Sequence, residues 1–192
     1  MHVIKRLGVA LLAVFALSAI AVSSASASPL FLSHPTGLLL ATADNLQKFT
    51  TPAGTVECKT VRLIPPDTTP ALRFLSILVG IQYLECNIPA LGVEATIHPF
   101  RYLITSHGLA SIDSPAVILA PFCTITVPVA QNKGLEKLTF DNNNGGVLLL
   151  ALVKGITSIG EGLACNYGED KTGTYEGNIH IKVEGGVLRW DS

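Results

Sequence analysis

No cluster of lysine and arginine stands out anywhere in the 192 residues, where 13 basic side chains are scattered against 14 acidic ones. The positive stripe that tracks a phosphate backbone is therefore missing, and nucleic acid is not expected as a partner. Beyond the N-terminus, no apolar run reaches the roughly 18 residues of a membrane span. The nearest, "VLLLALV" (147–153), is fenced by Gly145-Gly146 and Lys154. Cys-x-x-Cys pairs with zinc spacing are absent. So are the His-Glu-x-x-His pattern, the phosphate-loop ending Gly-Lys-Ser/Thr and the Gly-x-Ser-x-Gly elbow that exposes a serine nucleophile. No metal or cofactor is expected.

What is present first is an export signal. Lys5 and Arg6 precede the apolar run "LGVALLAVFALSAIAV" (7–22), which is followed by "SSASAS". Ala25-Ser26-Ala27 fits the small-x-small pattern of a signal peptidase site, so cleavage is expected after Ala27. The run is shorter than the roughly 20 residues a span needs. Residues 1–27 are read as a signal peptide and residues 28–192 as one secreted domain. The C-terminal "RWDS" carries no apolar anchor tail.

The mature chain consists of short β-branched runs punctuated by turn residues, the habit of an all-β sandwich or barrel. In "TYEGNIHIKV", Tyr175, Gly177, Ile179, Ile181 and Val183 alternate with Thr174, Glu176, Asn178, His180 and Lys182. A period of two gives one apolar and one wet face. "TVECKT" alternates likewise, and "LEKLTF" and "VLLLALV" flank the turn cluster "DNNNGG" as a hairpin. "ALRFLSILVGIQYLEC" (71–86) would also suit a buried helix, but Ile77, Val79 and Ile81 favour a strand and Gly80 disfavours a helix. "VLLLALV" has the composition of a strand buried on both faces. "SPLFLSHPTGLLLATADN" reads as a first strand or a lead-in. The expected architecture is a single-domain antiparallel β-sandwich of eight to ten short strands, with a β-barrel as the alternative.

Four cysteines, Cys58, Cys86, Cys123 and Cys165, remain after the signal. An even number in an exported chain reads as two disulfides. Cys123 shares a phase with Ile125 and Val127, and Cys58 with Val56, so both point inward where a thiol nucleophile would be too buried to react. Three pairings are possible; Cys58–Cys86 and Cys123–Cys165 are expected because each joins neighbouring strand-like segments.

"FTTPAGTVECKT", "CTITVPVAQN" and "GTYEGN" resemble an uncharacterised group of secreted β-rich proteins from soil actinobacteria. The resemblance covers most of residues 47–183 and implies export and the β fold class. The group carries no assigned activity, so no site residue follows from it. This chain departs from the group's usual pattern in being richer in Leu and poorer in Thr.

Ser106, His107 and Asp113 supply the residue types of a hydrolase triad, but triads are defined by convergence in space. Gly108, Ser111, Asp113 and Pro115 make the stretch read as a turn between strands. His98 reads as a strand end, His180 as a solvent-facing side chain and "GEDKTG" as a charged loop. "DNNNGG" loosely matches the start of a calcium loop, yet Leu152 stands where the bidentate glutamate is required. No catalytic residue is assigned. The expected function is non-enzymatic: an extracellular structural or binding domain, its partner a cell-envelope or extracellular ligand. A lipocalin-like carrier is the alternative, and a secreted hydrolase ranks below both.

Overall fold

The computed structural model describes residues 28–64, 68–69, 72–129 and 137–191. The expected signal peptide, 1–27, lies outside them. Among the described residues there are fifteen strands and no helix. In chain order they are β1 (Leu30–His34), β2 (Leu39–Ala43), β3 (Gln47–Thr51), β4 (Gly54–Leu63) and β5 (Arg73–Phe74). Then come β6 (Ser76–Ile88), β7 (Val93–Ile97), β8 (Phe100–Thr105), β9 (Ala110–Ile112) and β10 (Ala116–Ala120). The last are β11 (Cys123–Val127), β12 (Lys137–Asn143), β13 (Gly146–Glu161), β14 (Gly168–Val183) and β15 (Val187–Asp191).

Eight of these close a barrel in the order β13-β11-β10-β7-β6-β4-β3-β14, shut by the antiparallel pairing of β14 back onto β13. All-β is thus shown, and the architecture is the barrel rather than the sandwich. The reason is length. β13 and β14 run 16 residues each, long enough to pair with each other from Gly146↔Lys182 to Gly160↔Gly168 while β13 also holds β11 and β14 also holds β3. Closure removes the free edges that a sandwich would have kept. The remaining strands extend the barrel: β12 on β13, β2 on β14, and β8 with β9 on β6. A separate sheet, β15-β1-β5, joins the two ends of the described chain.

β7 and β8 keep one common register against β6, with Cys86↔Ala95 and Ile81↔Phe100. They are one strand broken at His98-Pro99. Proline has no N–H for the ladder, and at the break His98 N donates to Val117 O, on β10, at 2.9 Å. The chain thereby leans onto β10 at Ile97 and returns to β6 at Phe100.

Turn chemistry is local. Asn144 and Gly145, at φ 44° and 75°, form the two-residue loop that closes Asn143 onto Gly146, the geometry that right-twisted hairpins require. The hairpin read from "DNNNGG" is therefore present, and strands surround the loop where a calcium site would need helices. On β14 the inward residues are those read from the period-two pattern, Tyr175 to Val183.

Three sequence expectations change. "VLLLALV" is not buried on both faces: Val147, Leu149 and Ala151 point inward, while Leu148 and Leu150 are half-buried and Leu152 is exposed. Leu150 pairs with Thr139 and Asn178, so polar neighbours on β12 and β14 flank the outer leucines. "GEDKTG" is the start of β14, not a loop. His180 does not simply face solvent, since its Nε2 lies 2.9 Å from Asn143 O.

The disulfides are Cys58–Cys86 and Cys123–Cys165. The first crosses directly opposed residues of β4 and β6. Inward phase on β6 runs through Ile77, Val79, Ile81 and Tyr83, which would send Cys86 outward. Glu85 sits at φ 53° and resets the phase, so that Cys86 turns in. The second bridge joins the start of β11 to the β13–β14 connection, the far end of β13 from Val147–Val153.

Candidate functional site: a cavity inside the barrel

The barrel interior is filled mainly by aromatic and branched side chains. Phe49 packs edge-on to Tyr83 at 4.9 Å and against Tyr175 at 4.8 Å, and Phe100 lies 4.7 Å from Tyr102. A second aromatic group, Phe31, Phe74, Phe140 and Trp190, holds the β15-β1-β5 sheet onto β12. Between the first group and the inner face of β13 a cavity of about 90 Å³ is left open, walled by Ile81, Ile97, Ile118, Leu149, Ala151 and Ile179 among others.

The more accessible part of its lining lies on β9 and β13. Ser111 and Ile112 are half-buried there and Lys154 is exposed. Two local irregularities fall in this part of the wall. Among the described residues β9 pairs with β8 alone. On β13, Gly155 (φ 70°) shifts the register against β14 between Lys154 and Ile156. A bulge of this kind bends the strand.

One polar feature enters this apolar wall. The hydroxyls of Tyr102 and Tyr83 lie 3.3 Å apart, Tyr83 donates to Tyr175 at 3.3 Å, and Tyr175 donates to Gln47 Oε1. Gln47, wholly buried, donates from Nε2 to Asn45 O at 2.8 Å and Asn178 O at 3.0 Å. Gly177 makes room for it, since any Cβ there would overlap the Gln47 side-chain oxygen. Burial pushes all three tyrosines up, Tyr83 further through its two tyrosine neighbours. At neutral pH the three hydroxyls stay protonated, so they act through hydrogen bonds and not as tyrosinates.

Sequence reasoning reached Tyr175 as inward-facing but missed the convergence with Tyr83, Tyr102 and Gln47. Phase was the available signal for the tyrosines. Nothing in the sequence marks a glutamine as buried.

The other candidates lie elsewhere. Ser106 is buried and donates its hydroxyl to Pro29 O, while its own carbonyl accepts from Trp190 Nε1 at 2.9 Å. His107 is exposed in the tight turn closed by Thr105 N to Leu109 O, and Asp113 is exposed beyond the other end of β9. The three are not brought together. All four cysteines are buried in the two bridges. Among the described residues no group of three His, Cys, Asp or Glu side chains could hold a metal ion, and no helix is long and apolar enough to cross a membrane. A larger groove, about 310 Å³, runs over Leu32, Arg73 and Arg189 on the face of β15-β1-β5, but it is an open surface, and the buried polar residue in its lining, Ser33, already donates its hydroxyl to Pro35 O at 2.7 Å.

Fold and site together define a class: a disulfide-stapled, eight-stranded antiparallel barrel with a small, mainly apolar internal cavity. No family model, curated protein or solved structure matches the chain.

Proposed function

We propose that this chain is a secreted, non-enzymatic binding module that takes a small, largely apolar molecule into its barrel. The observation that carries the reading is the apolar cavity inside the barrel, whose lining includes β9 and the Gly155 bulge of β13. An unfilled apolar space of about 90 Å³ would cost on the order of 2 kcal/mol relative to a packed core, and a ligand would offset that cost. Secretion is supported by the signal-like N-terminus and by two disulfides, which persist in oxidising compartments. Kinship with the secreted actinobacterial group belongs to the same reading.

Size limits the cargo. Drug-sized ligands need about 300 Å³ or more, and an apolar cavity of about 150 Å³ takes benzene. This barrel suits a slim molecule, or the apolar end of a longer one. Bulky lipocalin-type cargo does not fit.

A second reading has its own support. Leu91, Phe122 and Leu163 are 64%, 75% and 94% exposed on connections at the Cys123–Cys165 end of the barrel. Phe122 holds φ 60° there, a strained conformation for an aromatic residue. Those loop tips would serve a macromolecular partner instead.

Xenon, a small apolar probe, separates the two. Under xenon pressure, amide shifts should cluster at Ala110–Ile112 and Leu149–Gly155. Ala151→Leu, which fills the cavity, should abolish them without loss of stability, and Phe122→Ser with Leu163→Ser should leave them unchanged. Absence of xenon shifts at the lining would overturn the cavity reading.

A further inference from the structure

Gln47 sets the polarity of a chain of hydroxyls that ends at the cavity wall. Its Nε2 faces two main-chain carbonyls, Asn45 O at 2.8 Å and Asn178 O at 3.0 Å. Carbonyls only accept, so this end of the amide donates and Oε1 is turned to Tyr175. Oε1 also only accepts, so Tyr175 spends its single hydrogen on Gln47. Tyr83 spends its hydrogen on Tyr175. The 3.3 Å contact between Tyr83 and Tyr102 then has one donor left, Tyr102. All three hydrogens run from the cavity towards Gln47. Among the described residues no donor reaches the Tyr102 oxygen, so none of them occupies its lone pairs. Donating along a chain also polarises each member, making the terminal oxygen a better acceptor.

We propose that the cavity selects small apolar molecules bearing one hydroxyl or N–H donor, which they give to the Tyr102 oxygen, and rejects carbonyl compounds and carboxylates of the same skeleton. The inference rests on the cavity being the ligand site. A carbonyl placed against Tyr102 would face lone pair to lone pair and lose its bonds to water without replacement. Nothing needs to reorient when an alcohol binds, because the direction is imposed by two main-chain carbonyls on the far side of the barrel.

The test is a matched six-carbon series, 1-hexanol, 2-hexanone and hexanoate, titrated into the full domain and followed by the amide shifts of Ala110–Ile112. Hexanol should bind about 5- to 10-fold more tightly than hexanone, the worth of one buried hydrogen bond. Hexanoate, whose carboxylate brings acceptors and no donor to the Tyr102 oxygen, should bind more weakly than hexanol. Tyr102→Phe leaves the Tyr83–Tyr175–Gln47 bonds in place, and should bring hexanol down to the affinity of hexanone while hexanone is unchanged. Equal binding of hexanol and hexanone by the wild-type domain, or tighter binding of hexanoate, would overturn the inference; that result needs no variant to fold. Xenon separates the two levels. Xenon shifts without hexanol binding sink the donor preference alone, whereas loss of both sinks the cavity itself.

Discussion

Tyr175 and Gln47 stand 128 residues apart in sequence and share one buried hydrogen bond, hydroxyl to side-chain carbonyl. The pair ties β14 to β3, neighbours in the barrel wall, and the direction of the tyrosine chain depends on it.

Removing the amide should therefore be costly. Gln47→Leu leaves the Tyr175 hydrogen and the Asn45 carbonyl without partners, and the expected loss is about 2–4 kcal/mol. Gly177→Ala drives a methyl into the same amide and should cost at least about 2 kcal/mol. Urea denaturation of both variants checks this. A loss under about 0.5 kcal/mol in either would show that the network is not held as described.

Alkaline pH should unfold the domain cooperatively. Tyr83, Tyr102 and Tyr175 have folded-state pKa values raised by burial, whereas in the unfolded chain each titrates near 10. Below pH 10 both states hold these protons and stability is unaffected. Above it the unfolded state sheds protons that the folded state keeps, so stability falls by about 1.4 kcal/mol per pH unit per tyrosine. Tyrosinate absorbance should thus rise together with the loss of β signal. Ionisation of these three at pH 10–11 with the fold intact would contradict the burial.

Each disulfide closes a loop, 28 residues for Cys58–Cys86 and 42 for Cys123–Cys165. Chain-entropy arguments assign each about 3.5–4 kcal/mol. The second bridge lies at the far end of β13 from "VLLLALV", so its loss should lower stability globally without exposing that run first. Hydrogen exchange on Cys123→Ser/Cys165→Ser should show Leu149 and Ala151 opening only with global unfolding. Selective opening there would mean that the bridge clamps the run directly.

Ser106 and His107 should behave differently from one another. Ser106→Ala deletes a buried hydroxyl that donates to Pro29 O and is expected to cost about 1 kcal/mol. His107→Ala, on an exposed turn, should leave stability within about 0.5 kcal/mol. Thermal unfolding distinguishes them, and a large loss for His107→Ala would refute its placement.

Fold class was legible because a period of two in "TYEGNIHIKV" and the Asn-Gly turn of "DNNNGG" are local properties, set by how side chains alternate and how few residues accept positive φ. The inward phase of Cys58 and Cys123 was legible for the same reason. Cys86 was not: its inward turn depends on Glu85 at φ 53°, which no local propensity of glutamate foretells. "VLLLALV" was misread because composition reports apolarity without reporting which neighbours flank it. Barrel against sandwich was settled by whether β14 returns to β13, a pairing between segments that sequence patterning treats as independent.

The chain by itself thus determined strands, turns and which side chains look inward, since these follow from the nearest few residues. Only the tertiary structure decided closure, the cavity beside β9 and the direction of the Tyr102–Tyr83–Tyr175–Gln47 chain. Those depend on hydrogen-bond partners brought from β8, β6, β14 and β3, and a donor's direction is defined only once its acceptor stands beside it.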